Sequence, residues 1–459
     1  MFRRVLAVTC AVSCALLAGL YGCSLKALGG RGLAIVYSND VRGEFENCGC
    51  TDVQLGGLSR KAYLLRDAAR KNTDMLHLDA GNLFFQKQPV QAIEAREFLL
   101  KAEYILKAYN AMGCDALNVT DGDLIMGLDA LAGLRGKALF PFVSSNILAR
   151  DGGRHLFEPV VFKKAAGISV AVLGLCPQDG VFMPDVRIED PAVAVRKMAA
   201  AVRGKSDFLI VLSGLGLERD RELARQVPGI NLIISARAER LLEKPVMENG
   251  TAIVQAYNRG QYLGSVEVAR AGKGFSVDAR LIALEPGIGE DKDIAAMGSD
   301  FKAQVAAMNQ QAFFKGQLEK SGAGSGAAYI GGDSCVQCHV PQYENWQVTP
   351  HARAYQTLVQ KGSQYAVECL VCHTTGYGEP GGYSPVDKES SMMINVQCEA
   401  CHGPGSSHDG VKNGIVRDGA RQVCLGCHTE KNSPRFDYDE YRPQVKCPVS
   451  GKKQIAGER

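Results

Sequence analysis

Histidine is scarce in this chain, at 8 of 459 residues, while cysteine reaches 16 and tryptophan occurs once. No charge of one sign dominates. The 52 Lys and Arg face 49 Asp and Glu, a formal net charge of +3, which excludes the basic stripe of a dedicated nucleic-acid binder. Beyond the N-terminus no apolar run reaches the roughly 20 residues of a membrane span. The hydrophobic share of 46% and the charged share of 22% are ordinary, so wholesale disorder and collagen-like structure are excluded. A chain of this length holds two or three domains. Its cysteines are too many for a typical cytosolic enzyme and too dilute for a small disulfide scaffold, so their placement carries the information.

The chain begins Met1-Phe2-Arg3-Arg4 and then runs apolar from Val5 to Leu20. A basic start with an apolar run of this length reads as a secretory signal. The run ends Leu20-Tyr21-Gly22-Cys23-Ser24, which resembles a bacterial lipoprotein cleavage site, although Tyr21 is bulkier than the small residue usual there. Residues 1–22 are expected to form a leader and Cys23 to accept a lipid. Plain cleavage and an uncleaved helix are the alternatives, and all three export the remainder. The expected location is the periplasm or outer envelope, with membrane attachment through the lipid.

Eight cysteines fall in four copies of one motif: Cys335-Val-Gln-Cys338-His339, Cys369-Leu-Val-Cys372-His373, Cys398-Glu-Ala-Cys401-His402 and Cys424-Leu-Gly-Cys427-His428. C-x-x-C-H is the attachment signature of haem c. Two thiols add across the vinyl groups of one haem, and the histidine that follows lies under the iron as proximal ligand. Structural zinc also uses paired C-x-x-C, but it does not require a histidine after every pair, and four such placements by chance have a probability of roughly 10⁻⁷. Four haem c groups are expected.

Upstream, apolar β-type runs alternate with amphipathic helical stretches, which argues an α/β fold with helices flanking the sheets. Strands are expected at Leu33–Ser38, Met75–Leu78, Ala116–Val119, Phe142–Asn146, Ile168–Leu175, Phe208–Leu212 and Leu232–Ser235, with closing strands at Thr251–Gln255, Leu263–Ala269 and Val277–Leu284. Helices are expected at Leu58–Arg70, Ala92–Asn110, Ala192–Val202 and Glu218–Gln226. The expected domains are 23–290, then a helical segment and small-residue linker over 291–328, a small, mostly helical and irregular haem domain over 329–447, and a basic tail over 448–459. About 30 residues per haem cannot build a conventional core, so the porphyrins supply most of the apolar interior. Haems so confined lie close together and pass electrons.

Four irons have eight axial positions. His339, His373, His402 and His428 fill four as proximal ligands. Only His351 and His408 remain in the haem region, and both are expected as distal ligands. At most two haems are then bis-His from local residues. Met392 or Met393 is a further ligand candidate, and an open iron position keeps an enzyme reading alive. His77 lies in a strand-like run and is expected to be packed.

The haem region resembles the tetrahaem cytochrome c family whose type member accepts electrons from hydroxylamine oxidation. The residues that carry the resemblance are the four motifs, Trp346, His351, Gly376-Tyr-Gly378 and the stretch Cys398–His408. It implies an electron carrier with stacked haem pairs, some bis-His and one five-coordinate. The first domain resembles the calcineurin-like metallophosphoesterases of the 5′-nucleotidase kind. The matching framework is Asn39–Gly43, Gly56-Gly57-Leu58, Leu78–Asn82, Ala116–Gly127, Leu212-Ser213-Gly214 and Pro228–Ser235. That family binds two metals, which activate water for phosphoester hydrolysis. Of the ligands the resemblance implies, Asp40 remains. Arg42, Asn82, Asp121-Gly122, Gly214, Arg237 and Glu239 stand at the others, so the expected domain is degenerate and carries no catalytic residue.

Cys48-Gly49-Cys50 lies in the loop of that cleft, with Cys176 at the end of a strand and Cys114 before another. Ordinary disulfides of an exported domain, a redox-active or metal-binding pair at Cys48/Cys50, and free thiols are the three readings. Together these features predict an exported tetrahaem cytochrome that passes electrons to a redox protein or terminal acceptor, with the first domain used for docking or thiol chemistry. A reductase or oxidase at an open haem or at Cys48/Cys50, and an active metallophosphatase, are the alternatives. Loss of Arg3 and Arg4 with the leader takes the charge from +3 to +1. Each haem adds about −1 when ferric and about −2 when ferrous, so the mature protein is mildly acidic.

Overall fold

The computed structural model describes residues 32–46, 54–71, 74–86, 92–180, 183–272, 274–314, 327–385, 389–408, 421–429 and 432–448. The leader, Cys23, Cys48 and Cys50 lie outside them. Among the described residues no helix is long and apolar enough to cross a membrane. They divide into two compact units at Gly298, with residues up to Glu97 at the start of one long helix grouped with the second unit.

The first unit opens with β1 (Leu33–Ser38), α1 (Leu58–Lys71), β2 (Met75–Asp79), α2 (Ala92–Met112), β3 (Ala116–Asn118), α3 (Leu128–Arg135) and β4 (Phe142–Val143). It continues through β5 (Ile147–Ala149), β6 (Val161–Ala165), β7 (Ile168–Leu175), β8 (Val186–Ile188), α4 (Pro191–Val202), β9 (Phe208–Ser213), α5 (Leu217–Gln226) and β10 (Leu232–Ser235). It closes with β11 (Val246–Glu248), β12 (Thr251–Val254), β13 (Tyr262–Ala271) and β14 (Gly274–Ala283). Two six-stranded sheets result, in the orders β14-β13-β1-β2-β3-β4 and β11-β12-β10-β9-β7-β6.

The period-2 alternation of strands sorts the side chains. Val170, Val172, Phe208, Ile210 and Leu212 meet Leu33, Ile35, Tyr37 and Leu78 in the core between the sheets. Their neighbours Ala171, Leu173, Leu209 and Val211 pack outward with Val195, Leu223 and Ala224 of α4 and α5. Val36 packs outward with Leu64 and Leu65 of α1. The layers therefore run helix, sheet, sheet, helix. Each large apolar side chain so buried contributes about 1.5–3 kcal/mol. Where the sheets approach, Asn118 Nδ2 donates to the carbonyls of Ala80 and Leu175, both at 3.0 Å. A Cβ on Gly174 would lie 2.5 Å from Asn118 Oδ1 and from the Val143 carbonyl oxygen, so only glycine permits this approach.

Phe142–Asn146 is only partly strand. After Val143 the Ser144 and Ser145 amides donate to Glu158 and Gly174 carbonyls, and the chain leaves the sheet. The carboxyl ends of β1, β2, β3, β9 and β10 open on one cleft, where open α/β sheets place their sites. His77 is buried in β2, with Tyr109 tilted against it at 5.7 Å.

After α6 (Lys292–Phe314) the second unit is built from α7 (Gly332–Cys335), α8 (Val340–Gln347), α9 (Ala354–Gln360), α10 (Val367–His373), α11 (Cys398–His402), α12 (Arg421–Cys427) and α13 (Tyr438–Val445). Among the described residues its apolar cluster has four buried members, Leu358, Leu370, Tyr383 and Met393. So small a core cannot by itself fix a domain of this length.

Candidate functional site

Each C-x-x-C-H segment lies on or beside a short helix. One helical turn brings residues three and four apart to the same face, so both thiols and the histidine converge. The turn is closed by His339 N–H donating to the Cys335 carbonyl at 2.9 Å and by His428 N–H donating to that of Cys424 at 2.8 Å.

Two imidazole pairs bring residues of different motifs together. The His339 and His408 rings stack with centroids 6.5 Å apart and planes 23° apart. The His351 and His428 rings lie 6.1 Å apart. Two imidazoles that share one metal stand about 6 Å apart, from a bond of about 2 Å and about 1 Å from nitrogen to ring centre on each side. Burial lowers the pKa of His351, with His428 and His373 adding to the effect, and burial lowers that of His428. Both shifts favour the neutral, ligating imidazole. Phe436 stacks on His428 at 4.4 Å. His373 Nδ1 lies 2.7 Å from the Ala354 carbonyl oxygen, a contact that places the proton on Nδ1 and leaves Nε2 as the ligand atom.

The thiols form a series. Cys335 and Cys398 hydrogen-bond to one another, as do Cys372 and Cys427. Burial pushes the Cys401 thiol up to about 11, and the nearby Cys424 and Cys447 thiols add to it. The motifs therefore neighbour one another in the order first, third, fourth, second. None of the eight thiols is tied up in a disulfide. Apolar side chains stand exposed on the same unit, among them Val340, Val348, Val371, Val423 and Leu425. Convergent thiols, facing imidazoles, an imidazole with a set tautomer and uncovered apolar surface all fit haem c.

Sequence reasoning missed the residues that hold the first and third motifs together. Glu399, inside the third motif, is 3% exposed. Its carboxylate accepts from the Ile330, Gly331 and Gly405 amides at 2.9, 2.8 and 2.6 Å. Gln397 Oε1 accepts from Gly332 N–H at 2.6 Å, and Trp346 Nε1 donates to the Val396 carbonyl at 2.7 Å. A motif's intervening residues carry no pattern that marks such a role. Met393, expected as a candidate ligand, packs in the apolar cluster instead, and Met392 is 52% exposed.

In the first unit the positions singled out around Asp40 do converge on the cleft. Asp40 accepts from Asn82 Nδ2 at 2.8 Å, Asn39 Nδ2 at 2.9 Å, Arg42 at 3.3 Å and Ala238 N–H at 3.1 Å. Asn82 Oδ1 accepts from Thr120 Oγ1 at 2.7 Å. Asp121 pairs with Arg237 at 2.5 Å. Asp123, pushed up to about 6 by burial, gathers the Asn82, Leu83 and Thr120 amides. Asp40, Arg42, Asn82 and Arg237 all hold left-handed backbone, with φ of 51–55°, a conformation that costs about 1–3 kcal/mol each. Among the described residues no group of three or more His, Cys, Asp or Glu is placed to hold a metal ion. The disulfide reading fails for Cys114 and Cys176, which are free and buried. Burial, with Asp121 and Asp123 alongside, raises the Cys176 pKa well above that of an ordinary thiol, so its reactive thiolate is disfavoured.

Residues 334–403 match the family described as cytochrome c554 and c-prime, and residues 392–433 match the doubled CXXCH motif. The second unit is therefore a c-type cytochrome domain that binds haem c. Cytochrome c-554 of Nitrosomonas europaea is 32% identical over 99 residues, 18% of this chain and 42% of that one. The 5′-nucleotidase of Vibrio cholerae is 25% identical over 304 residues, 56% of this chain and 53% of that one. The solved 5′-nucleotidase precursor of Thermus thermophilus superposes with a TM-score of 0.53 at 23% identity, covering 60% of this chain and 59% of that one. This chain thus spans about half the length of these relatives. It carries cytochrome c554 and paired CXXCH domains fused behind a 5′-nucleotidase/calcineurin-like phosphoesterase domain.

Proposed function

We propose that this chain is an exported tetrahaem cytochrome that transfers electrons at the bacterial cell envelope, held to the membrane by a lipid on Cys23. The observation that carries the reading is the pairing of His339 with His408 and of His351 with His428 at metal-sharing distance. The haems would be held at Cys335/Cys338, Cys369/Cys372, Cys398/Cys401 and Cys424/Cys427, with His339, His373, His402 and His428 as proximal ligands and His408 and His351 as distal ligands. Each haem supplies an iron that cycles between ferric and ferrous states. The thiol series supports an order of first, third, fourth, second for the four, and closely spaced sites in a row suit the passage of electrons from one protein partner to another.

The first domain serves for docking or for thiol chemistry at Cys48/Cys50, and not for phosphoester hydrolysis. Asp40 spends its lone pairs on internal donors, and Arg237 neutralises Asp121. The test is haem counting by pyridine haemochrome on protein matured in a bacterial periplasm, together with a nucleotide and phosphodiester panel with divalent metals. Four haems per chain and no metal-dependent turnover are expected. Fewer haems, or turnover, would sink the respective half of the reading.

A reductase or oxidase at an open iron is a second reading, favoured by the histidine count. Eight histidines serve four proximal positions and two distal ones, and the last two, His77 and His155, belong to the first unit. Carbon monoxide binding to the reduced protein separates the two readings.

A further inference from the structure

We propose that Phe436 is a positioning residue for His428, fixing the plane in which that imidazole meets the haem held at Cys424 and Cys427, with Tyr441 as its support. The inference rests on haem attachment at that motif and on His351 and His428 as the axial pair, as proposed above.

Three observations carry it. First, the His428 ring relies on stacking for its orientation. Among the described residues the ring has no hydrogen-bond partner, and its neighbours are the rings of His351 and Phe436. His373 differs, because the Ala354 carbonyl oxygen 2.7 Å from Nδ1 already orients its ring. Second, the stack is close and nearly parallel. Phe436 lies 4.4 Å from His428 with the planes 14° apart, and Tyr441 packs on Phe436 at 5.3 Å and 58°. Third, the backbone holds both aromatics where they are. Ser433 N–H donates to the Thr429 carbonyl at 2.8 Å and Phe436 N–H to that of Ser433 at 2.9 Å, which folds the chain back onto the motif's own histidine. Asp437 then caps α13 by accepting from the Asp439 and Glu440 amides at 2.8 and 3.1 Å. Tyr441 N–H donates to the Asp437 carbonyl at 2.9 Å. Past the far end of α13 the Lys446 carbonyl accepts from Asn345 at 3.3 Å.

The plane of an axial imidazole matters as well as its nitrogen. Groups outside the ligand set orient the ligand ring. An imidazole donates π-electron density at right angles to its plane, so the angle between two axial rings sets how the iron d orbitals split. The His351 and His428 planes are 49° apart, whereas those of His339 and His408 are 23° apart. The two pairs are thus built unalike, and Phe436 sets the angle of one. A flat apolar face on the ligand also keeps water away. Water stabilises the ferric state, which carries the extra positive charge, so its exclusion raises the potential.

The test uses the full-length protein with its haems, counted by pyridine haemochrome and located by peptide mass mapping. Electron paramagnetic resonance of the ferric protein should show a low-spin signal that His351→Ala removes, which marks this haem. In Phe436→Leu, which keeps the site apolar but offers no flat face, the marked signal should broaden and shift while the haem stays low-spin. In Phe436→Ala it should do the same, and the midpoint potential of this haem should fall, opposite to the rise expected when a ligand is lost. Phe436→Tyr keeps the face and should reproduce the wild-type signal. The signal that His408→Ala removes should stay unchanged in all three. Four haems with the marked signal unaltered in Phe436→Leu and Phe436→Ala would overturn this inference and leave the tetrahaem reading standing. Absence of haem from Cys424 and Cys427, or no signal lost in His351→Ala, would overturn the axial pair and this inference with it. If Phe436→Ala fails to mature, Phe436→Leu decides.

Discussion

His351 and His428 face each other with ring centroids 6.1 Å apart, although one follows the first haem motif and the other closes the fourth. A ligand supplied from outside a motif links distant parts of the chain through the iron. On the proposed ligation, His351→Ala should turn one haem from low-spin to high-spin and raise its potential. His408→Ala should do the same to a different haem. Room-temperature resonance Raman spectra and redox titration read the change, and an unaltered spin state would remove the residue from the ligand set.

Glu399 bridges the first and third motifs through three backbone amides. Truncation leaves those buried donors without an acceptor, at about 1–3 kcal/mol each in the worst case. Glu399→Ala should lower the cytochrome unit's unfolding temperature and the yield of fully loaded protein. Glu399→Gln, which keeps one acceptor oxygen, should fall between. Calorimetry with haem counting checks this, and a neutral Glu399→Ala would refute the bridging role.

In the cleft, Asn82 donates to Asp40 and accepts from Thr120. Asn82→Asp replaces the donor with a second carboxylate, so a hydrogen bond becomes a like-charge contact in a buried site. A loss of about 2–4 kcal/mol from the first unit is expected. Thermal unfolding with and without manganese measures it. Recovery of stability on adding the metal would mean that the cleft still assembles a metal site.

Asp220 is fully buried and accepts from Ser213 at 2.5 Å, and burial pushes its pKa up to about 7. A carboxyl whose folded pKa is raised holds its proton more tightly in the fold. The stabilisation is complete below the unfolded value of about 3.9 and is lost as pH rises through about 7. Asp220→Asn mimics the protonated form, so its stability relative to wild type should climb by about 4 kcal/mol between pH 4 and 8. Unfolding temperatures of the two proteins across that range test it. A difference independent of pH would show that Asp220 does not titrate there.

Much of the α/β unit is legible in the pattern of residues. The apolar runs at Leu33–Ser38, Ile168–Leu175 and Leu232–Ser235 coincide with β1, β7 and β10, because strands buried on both faces read as continuous apolar segments. The three-residue strands β5, β8 and β11 and the short helix α3 do not announce themselves, since so few residues complete too little of a period. Ser144 and Ser145 show a different limit. Their apolar neighbours suggest strand, but their amides have partners outside the sheet.

The chemistry of the site was written in the sequence alone. Four C-x-x-C-H segments specify thiols and a proximal histidine at covalent spacing, and local spacing needs no fold to be read. Eight histidines among 459 residues also limit how many axial positions imidazole can fill. Tertiary structure alone decided which histidine crosses to which motif, the order in which the motifs neighbour one another, and that Glu399 binds the first motif to the third. It also decided that Asn82 meets Asp40, and Arg237 meets Asp121, in one cleft. These are contacts between residues far apart in the chain, and only burial of the two sheets and packing of the short helices set their distances.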